Sequence, residues 1–241
     1  KGVFQEVTGS ARQIAGALQE SPVVRKISFT GSTEVGRLLI QGAADTVKKV
    51  SMELGGHAPF LAFADSDVDF AAQGAVDAKF QTTGEDCLAA NRLFVERGIY
   101  EDFLKAFAEK TAALKVGNGL EPGVEQGPLI DEKAVQKCEE HVRDALDKGA
   151  RLLCGGERQG GLFFAPTVLA DVTDDMTIMT EETFGPVAAV LPFDSEAEAV
   201  QRANDTIYGL AAYVYGNDLN RTMRVTDQLE YGMIGVNAAS M

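Results

Sequence analysis

The sequence lacks the features that mark membrane, metal-binding and secreted proteins. None of its apolar runs approaches the roughly 20 residues that a membrane-spanning helix needs, and its first residues show neither an initiating methionine nor a signal-peptide pattern. Its three cysteines and two histidines follow no metal-ligand spacing, and HExxH, CxxC and GxSxG patterns are missing. We therefore expect no membrane partner and no metal site. The odd number of cysteines favours a reducing, cytoplasmic compartment over a disulfide framework.

Positive charge is also scarce. The chain has 22 lysines and arginines against 36 aspartates and glutamates, which gives a formal net charge of −14. Such a chain repels nucleic acid, and no basic cluster counteracts the repulsion, so we expect no nucleic-acid partner. An acidic balance is equally typical of an ordinary cytosolic protein. The 241 residues suffice for one large domain or two modest ones.

What the sequence does contain is a regular alternation of strand-like and helix-like segments. Strands are predicted at 3–8, 24–29, 47–52, 57–63, 92–96, 151–154, 167–169, 187–193, 211–215 and 233–236. Helices are predicted at 12–19, 34–44, from a cap at 65–67 to 80, and at 100–114, 131–148, 196–204 and 219–229. This order indicates an α/β chain with parallel strand pairing. The double glycine Gly55-Gly56 is the predicted boundary between domains 1–55 and 56–241.

The chemistry is expected around Cys87, which closes the loop Gly84-Glu85-Asp86-Cys87 ahead of an apolar strand. A thiol at such a break can act as a nucleophile once it is ionised, and Glu53 is a candidate general base. The charges of Glu85 and Asp86 raise the thiol pKa, whereas a helix beginning at 88–91 would lower it. The alternative is that Cys87 is a small buried hydrophobe, as most cysteines are.

Two further polar stretches each have an ordinary explanation. Thr30-Gly31-Ser32-Thr33 offers backbone N–H groups and hydroxyls of the kind that bind phosphate, although such a turn is more often only a turn. Glu182, just before Phe184-Gly185-Pro186, is by itself a solvated loop acid. His57 is expected to pack or hydrogen-bond near the double glycine. A structural role is favoured for the two other cysteines, Cys138 and Cys154.

Taken together, these stretches occur in an order that resembles the aldehyde dehydrogenase superfamily. They are Phe29-Thr30-Gly31-Ser32-Thr33-Glu34-Val35-Gly36, Met52-Glu53-Leu54-Gly55-Gly56, the run from Phe80 through Gly84 to Cys87, and Glu181-Glu182-Thr183-Phe184-Gly185-Pro186-Val187. The resemblance spans almost the whole chain. Other short stretches resemble the succinate-semialdehyde dehydrogenase branch in particular. Examples are Val24-Arg25-Lys26-Ile27-Ser28-Phe29 and Ala90-Asn91-Arg92-Leu93.

The resemblance implies NAD- or NADP-dependent oxidation of an aldehyde, such as succinate semialdehyde, to the carboxylic acid. It implies a Rossmann-like parallel sheet in a catalytic domain at 56–241, preceded at 1–55 by the end of a cofactor-binding domain. By it, the Cys87 thiolate attacks the aldehyde, hydride passes to the nicotinamide, and Glu53 activates water to hydrolyse the thioester. The implied cofactor contacts are Ser32 at the pyrophosphate, Leu54 and Gly55 beside the nicotinamide, and Glu182 with Phe184 at its ribose.

Three positions near the cysteine depart from the family's usual residues. Succinate-semialdehyde enzymes commonly place an Arg at position 81 against the substrate carboxylate, and this chain has Gln81, whose neutral amide does not supply that ion pair. Positions 82 and 85 are usually Asn and Gln, and here they are Thr82 and Glu85. An acid at position 85 is expected to slow thiolate formation.

Two other functions are consistent with the same residues. The chain could be a truncated, catalytically inactive module that keeps the fold without binding cofactor. Alternatively, a thiol hydrolase would use Cys87 and Glu53 without nicotinamide. Because the sequence starts abruptly and ends directly after a strand, we expect the chain to be the middle of a longer protein. The resemblance implies that this full-length protein is a homodimer or homotetramer.

Overall fold

A computed structural model describes residues 2–239 of the chain. The chain divides into two compact units, Lys1–Gly55 and Gly56–Met241, and the division falls at the double glycine. Within the described residues no helix is both long enough and apolar enough to cross a membrane. The expectations drawn from the chain ends involve Lys1, Ser240 and Met241, which lie outside the described residues.

The first unit is a small α/β segment. Its elements are α1 (Ala11–Glu20), β1 (Lys26–Thr30), α2 (Thr33–Ala44) and β2 (Lys49–Glu53), and β1 pairs with β2 in parallel. Four of its predicted elements are confirmed, but the strand predicted at 3–8 is wrong. Those residues are irregular, and Val3 and Phe4 are exposed. An apolar alternation forms a strand only where a neighbouring strand accepts its hydrogen bonds, and here β1 pairs with β2 instead.

The second unit contains the remaining helices and strands. They are β3 (Ala58–Ala62), α3 (Val68–Phe80), β4 (Ala90–Glu96), α4 (Tyr100–Ala112), α5 (Glu132–Asp147), β5 (Arg151–Cys154), β6 (Arg158–Gly160), β7 (Phe163–Phe164), β8 (Thr167–Ala170), β9 (Val187–Phe193), α6 (Glu196–Asn204), β10 (Ala211–Tyr215), α7 (Leu219–Gln228) and β11 (Met233–Val236). The predicted elements are confirmed within a few residues, with side-chain caps from Asp67, Asp131 and Ser195. The β6–β7 hairpin was not predicted.

A central sheet organises the second unit. Its strand order is β11-β10-β3-β4-β9-β8-β5, and every neighbouring pair is parallel except β5–β8, which is antiparallel. The predicted α/β class with a mainly parallel sheet is therefore confirmed. All five residues of β3 are buried, as expected for a strand covered on both faces.

Helices cover both faces of this sheet. Helices α3 and α4 share one hydrophobic core with alternate strand residues such as Phe60 and Leu93. The intervening residues, such as Leu61 and Phe94, pack on the other face with α5, α6 and α7. The alternation follows from the period of two along a strand, and the result is a three-layer α/β arrangement.

The parallel pairing also positions the polar stretches. Strands β3, β4 and β9 are neighbours, so their amino ends lie at one edge of the sheet. Gly56 precedes β3, Cys87 precedes β4, and Glu182 to Pro186 precede β9. Three stretches that are far apart in the sequence therefore meet at this edge.

Candidate active site

Glycines let three backbone segments meet at the amino edge of the central strands. A Cβ atom built on Gly56 would stand 1.9 Å from the carbonyl oxygen of Cys87. A Cβ atom on Gly84 would stand 2.5 Å from the carbonyl oxygen of Gly185, and Gly84 also has a φ of 71°. A side chain at either position would force the segments apart. Gly56, the cysteine loop (residues 81–89) and the segment 182–186 thus form one site.

Cys87 is half-buried within this site, in a turn rather than at the start of a helix. Burial raises the pKa of the Cys87 thiol, and the nearby charges of Asp86 and Glu182 raise it further. The expected influence of Asp86 is thereby confirmed. The helix considered at 88–91 is wrong, because the chain enters β4 at Ala90, so no helix dipole lowers the pKa of this thiol.

The cysteine loop is held by a neighbouring segment, residues 126–130. Two hydrogen bonds connect them, from the Gly127 N–H to Thr83 Oγ1 at 3.0 Å and from the Ile130 N–H to Glu85 Oε1 at 2.9 Å, and the Gln126 amide donates a third to the carbonyl of Phe80, just before the loop. Glu85 therefore serves as a hydrogen-bond acceptor that fixes the loop, and Asp86 is the acid in the loop that raises the Cys87 pKa. Burial raises the pKa of Glu85 itself, and the Ile130 N–H partly offsets this effect.

Three consecutive residues of the loop adopt the left-handed conformation. The φ angles of Thr82, Thr83 and Gly84 are 51°, 59° and 71°. This region is unfavourable for a β-branched residue and costs about 1–3 kcal/mol for a residue other than glycine. The loop that presents Cys87 is therefore strained at two threonines.

Replacing Thr82 by asparagine is expected to stabilise the protein by about 1 kcal/mol, because asparagine tolerates the left-handed region better than a β-branched residue does. Thr82 is exposed, so the substitution disturbs little packing. Urea unfolding of Thr82→Asn against the parent protein measures the change. Thr8→Asn is the matched control, at an exposed threonine outside the left-handed region. Equal or lower stability of Thr82→Asn would contradict the assignment of strain.

Glu182 faces the same site from the segment before β9. Its carboxylate accepts a hydrogen bond from the Gly56 N–H at 2.9 Å, and the ammonium of Lys137 donates to its main-chain carbonyl. Burial raises the pKa of Glu182, while the Gly56 N–H and the charges of Lys137 and Lys79 lower it. The carboxyl group is thus held in a fixed place beside Cys87, unlike a mobile solvated acid.

The residues that follow Glu182 are fixed as well. Thr183 Oγ1 lies 3.0 Å from Nδ1 of the buried His141 on α5. Phe184 has a φ of 52° and leaves 39% of its surface exposed, so its ring remains available for contact. A Cβ atom on Gly185 would stand 2.4 Å from the sulfur of Cys138, which is fully buried in α5. Cys138 is therefore a packing residue, as expected.

The stretch after the double glycine is anchored by His57 and Arg92. His57 is buried, with Nε2 3.0 Å from the carbonyl of Met179, as its expected packing role requires. Burial and the charge of Arg92 lower the pKa of His57 to about 3, so the ring is neutral near pH 7. Arg92 is buried and donates to the His57 carbonyl at 3.1 Å and to the carbonyl of Ala203 at the end of α6.

Gln81 begins the cysteine loop at the end of α3, and its side chain is exposed. Sequence reasoning missed a second residue at this helix end, the buried Lys79. A signal was present, because Lys79 follows the buried Ala72 and Ala75 at helical spacing and so falls on the apolar stripe of α3. The Lys79 ammonium donates a hydrogen bond to Asn91 at the start of β4, and Asn91 carried no comparable signal.

The remaining predicted site residues belong to the first unit. Ser32 caps α2, where its hydroxyl oxygen accepts a hydrogen bond from the Val35 N–H at 3.3 Å. Glu53 ends β2 with its side chain exposed, and its carbonyl accepts from the Gly31 N–H at 3.0 Å. Thr30 and Glu53 are paired at the carboxyl ends of the parallel strands β1 and β2, so Ser32 and Glu53 lie at the same end of this small sheet. Leu54 packs on α2, and Gly55 is half-buried.

Comparison with known proteins identifies the family of the chain. The model of the aldehyde dehydrogenase family matches residues 1–241. The chain therefore belongs to the aldehyde dehydrogenase family, as the motifs indicated.

Individual relatives extend the comparison. The chain is 56% identical over its whole length to a 3-sulfolactaldehyde dehydrogenase of Pseudomonas putida, and 52% identical over 98% of its length to the NADP(+) succinate-semialdehyde dehydrogenase of Escherichia coli K12. It also resembles the crystal structure of an aldehyde dehydrogenase from Brucella melitensis biovar abortus 2308, with a TM-score of 0.96 and 52% identity over 98% of the chain. The chain spans about half the length of these proteins, at 50%, 49% and 49% respectively.

Proposed function

We propose that the intact protein carrying this chain oxidises an aldehyde to a carboxylic acid through a covalent intermediate on Cys87. The observation that supports this most directly is the meeting of Gly56, the cysteine loop and Glu182 at the amino edge of β3, β4 and β9. A half-buried thiol held in a strained loop beside a fixed carboxylate is a suitable place for covalent chemistry. Membership of the aldehyde dehydrogenase family supports the same reaction.

The proposed role of Cys87 is that of the nucleophile. Its sulfur adds to the aldehyde carbon to give a thiohemiacetal, which becomes a thioester when hydride leaves, and its backbone N–H supplies half of the oxyanion hole. Because burial and neighbouring acids raise the pKa of the thiol, little thiolate is present near neutral pH. The small thiolate fraction is then the attacking form, and we propose that Glu53 acts after hydride has left, as the base that activates the water that hydrolyses the thioester.

The chain's residues fit a nicotinamide dinucleotide. The Ser32 hydroxyl accepts from Val35 but keeps its own proton for a phosphate oxygen, at a helix N-terminus that favours anions. The fixed Glu182 carboxylate is an acceptor suited to ribose hydroxyls, with the half-exposed Phe184 beside it. Leu54 and Gly55 are proposed to lie against the nicotinamide. When bound, NAD or NADP supplies the hydride acceptor, and the choice between the two is left open by these residues.

The proposed substrate is a short aldehyde with an acidic group at its far end. Similar proteins include dehydrogenases of 3-sulfolactaldehyde, succinate semialdehyde and glutarate semialdehyde. Gln81, exposed at the start of the cysteine loop, is the proposed residue for contact with the acidic group. An amide donates neutral hydrogen bonds, so it suits a hydrogen-bonded sulfonate or carboxylate and does not form the ion pair that arginine would.

Gln81→Arg is expected to raise kcat/KM for succinate semialdehyde by about tenfold, because a charged hydrogen bond to a carboxylate is stronger than a neutral one. An uncharged aldehyde of similar length should show no gain. Gln73→Arg, at an exposed position on the preceding helix α3, is the matched control. Equal effects of Gln81→Arg on both aldehydes would show that position 81 does not contact the acidic group.

A substrate screen on the intact protein tests the proposed function. Reduction of NAD and of NADP is followed with 3-sulfolactaldehyde, succinate semialdehyde, glutarate semialdehyde and an uncharged aldehyde. Turnover of an acidic aldehyde that requires a nicotinamide cofactor supports the proposal. No cofactor binding in a calorimetric titration would favour the inactive module, and Cys87-dependent ester hydrolysis that ignores cofactor would favour a thiol hydrolase. A cytoplasmic homodimer or homotetramer remains part of the proposal.

A further inference from the structure

The two ends of the cysteine loop are joined by a buried hydrogen bond. Lys79 lies at the end of α3 and Asn91 at the start of β4, and neither side chain is more than 1% exposed. The Lys79 ammonium donates to Asn91 Oδ1 at 2.6 Å. The eleven residues between them include the strained turn at 82–84 and Cys87 itself.

The surroundings of the ammonium are unusual for a lysine. Its bonded partner is a neutral amide, although placing a charge in a protein interior is costly unless it is well paired. The titratable groups that face it are Cys138 on α5, Glu182 before β9 and His57 before β3. Burial lowers the pKa of Lys79 to about 8, so the ammonium form still prevails at pH 7. A buried ammonium, whose desolvation is unfavourable, at the point where the cysteine loop begins indicates a role beyond packing.

We propose that Lys79 is a positioning residue for Cys87, because its bond to Asn91 closes the base of the cysteine loop and fixes where the thiol stands. This bond joins a residue before the loop to a residue after it. The contacts from segment 126–130, in contrast, hold only the part of the chain that precedes Cys87. Loosening the base of the loop lets the strained turn relax and moves the Cys87 backbone, and the thiol with it, away from its close approach to Gly56. The inference rests on the proposed function of Cys87 as the nucleophile.

Loss of the bond is expected to raise the alkylation rate of Cys87 and to lower kcat. A loosened loop exposes the thiol, and since burial is the main cause of the raised Cys87 pKa, exposure lowers it and speeds alkylation at pH 7. Misplacement of the sulfur slows oxidation, because catalysis depends on sub-ångström geometry. In Lys79→Met we expect the alkylation rate of Cys87 at pH 7 to rise about threefold, while kcat falls about tenfold with little change in KM.

The experiment uses iodoacetamide on the intact protein, with the extent of labelling at each cysteine read by peptide mass spectrometry over pH 6 to 10. Cys138 is fully buried, so its labelling reports loss of the fold, and the half-buried Cys154 reports general loosening. Lys105→Met, which removes an exposed lysine from α4, is the matched control. Asn91→Asp keeps the acceptor and is expected to retain the parent values within about twofold.

The double variant Lys79→Met/Asn91→Leu separates positioning from packing. An apolar pair removes the buried charge and is expected to recover the melting temperature, but not kcat or the parent labelling rate of Cys87. Unchanged labelling of Cys87 in Lys79→Met, or full recovery by the double variant, would overturn the proposal. If Cys138 becomes labelled in Lys79→Met, that variant has lost its fold, and Asn91→Leu is compared with Asn91→Asp instead. Equal Cys87 labelling rates and kcat values in these two variants would overturn the proposal, and unequal values would support it. Labelling needs no aldehyde or cofactor, so failure of the proposed oxidation would be recognised separately.

Discussion

Replacing Cys87 by alanine is expected to lower aldehyde oxidation by about 10⁴-fold or more, because the covalent route no longer exists. Among residues 2–239, no other cysteine lies at the site. Cys138 is fully buried against Gly185, and Cys154 lies in β5 at the edge of the sheet. Steady-state turnover of Cys87→Ala with the preferred aldehyde, at saturating cofactor, measures the effect.

Cys154→Ala is the matched control for Cys87→Ala. Cys154 is half-buried like Cys87 and also has a pKa raised by burial, yet it lies in a strand outside the proposed site. Its replacement should leave turnover unchanged. Cofactor binding by Cys87→Ala, followed by calorimetry, should also survive, which separates loss of the nucleophile from loss of the fold. Substantial residual turnover by Cys87→Ala would exclude the covalent mechanism.

Replacing Glu53 by glutamine is expected to stall the second half of the reaction. The amide cannot take a proton from water, so hydrolysis of the thioester should slow by about 10²- to 10⁴-fold. Hydride transfer should still occur, so the first turnover appears as a burst of reduced cofactor about equal to the enzyme concentration. Rapid-mixing absorbance of Glu53→Gln against the parent protein distinguishes the burst from the slow steady state.

The control for Glu53→Gln is Glu20→Gln, which makes the same chemical change at an exposed acid at the end of α1. We expect parent kinetics from it. If Glu53→Gln shows parent steady-state turnover, the general-base role is wrong. If it shows neither burst nor turnover, Glu53 acts before hydride transfer, as the base for the Cys87 thiol.

Most helices and strands could be predicted from the sequence because the signals that define them lie within the segments themselves. The strands around β3 and β9 are apolar runs bounded by turn residues, and helix starts are marked by caps such as Asp67, Asp131 and Ser195. The failure at 3–8 has the opposite cause. Whether an apolar alternation becomes a strand depends on a partner strand, which a local pattern does not contain.

The proposed site was predicted in part, for the same physical reason. Motif order identified Cys87 and Glu182, but not how they are held. The bonds from segment 126–130 to the cysteine loop cross about 45 positions of sequence, and the approach of Gly56 to Cys87 depends on the pairing of β3 with β4. The pKa of Cys87 likewise depends on burial, which no neighbouring residue in the sequence reveals. The hydrogen bond between Lys79 and Asn91 also depends on how the end of α3 packs beside the start of β4, which no local pattern shows.

Cys87 is proposed to carry a covalent acyl intermediate during the reaction. The most direct measurement is mass spectrometry of Glu53→Gln, quenched in acid after mixing with the aldehyde and cofactor. We expect the whole protein to gain the mass of one acyl group, and fragmentation to place that group on Cys87. No added mass despite a burst of reduced cofactor, or an acyl group on another residue, would contradict it.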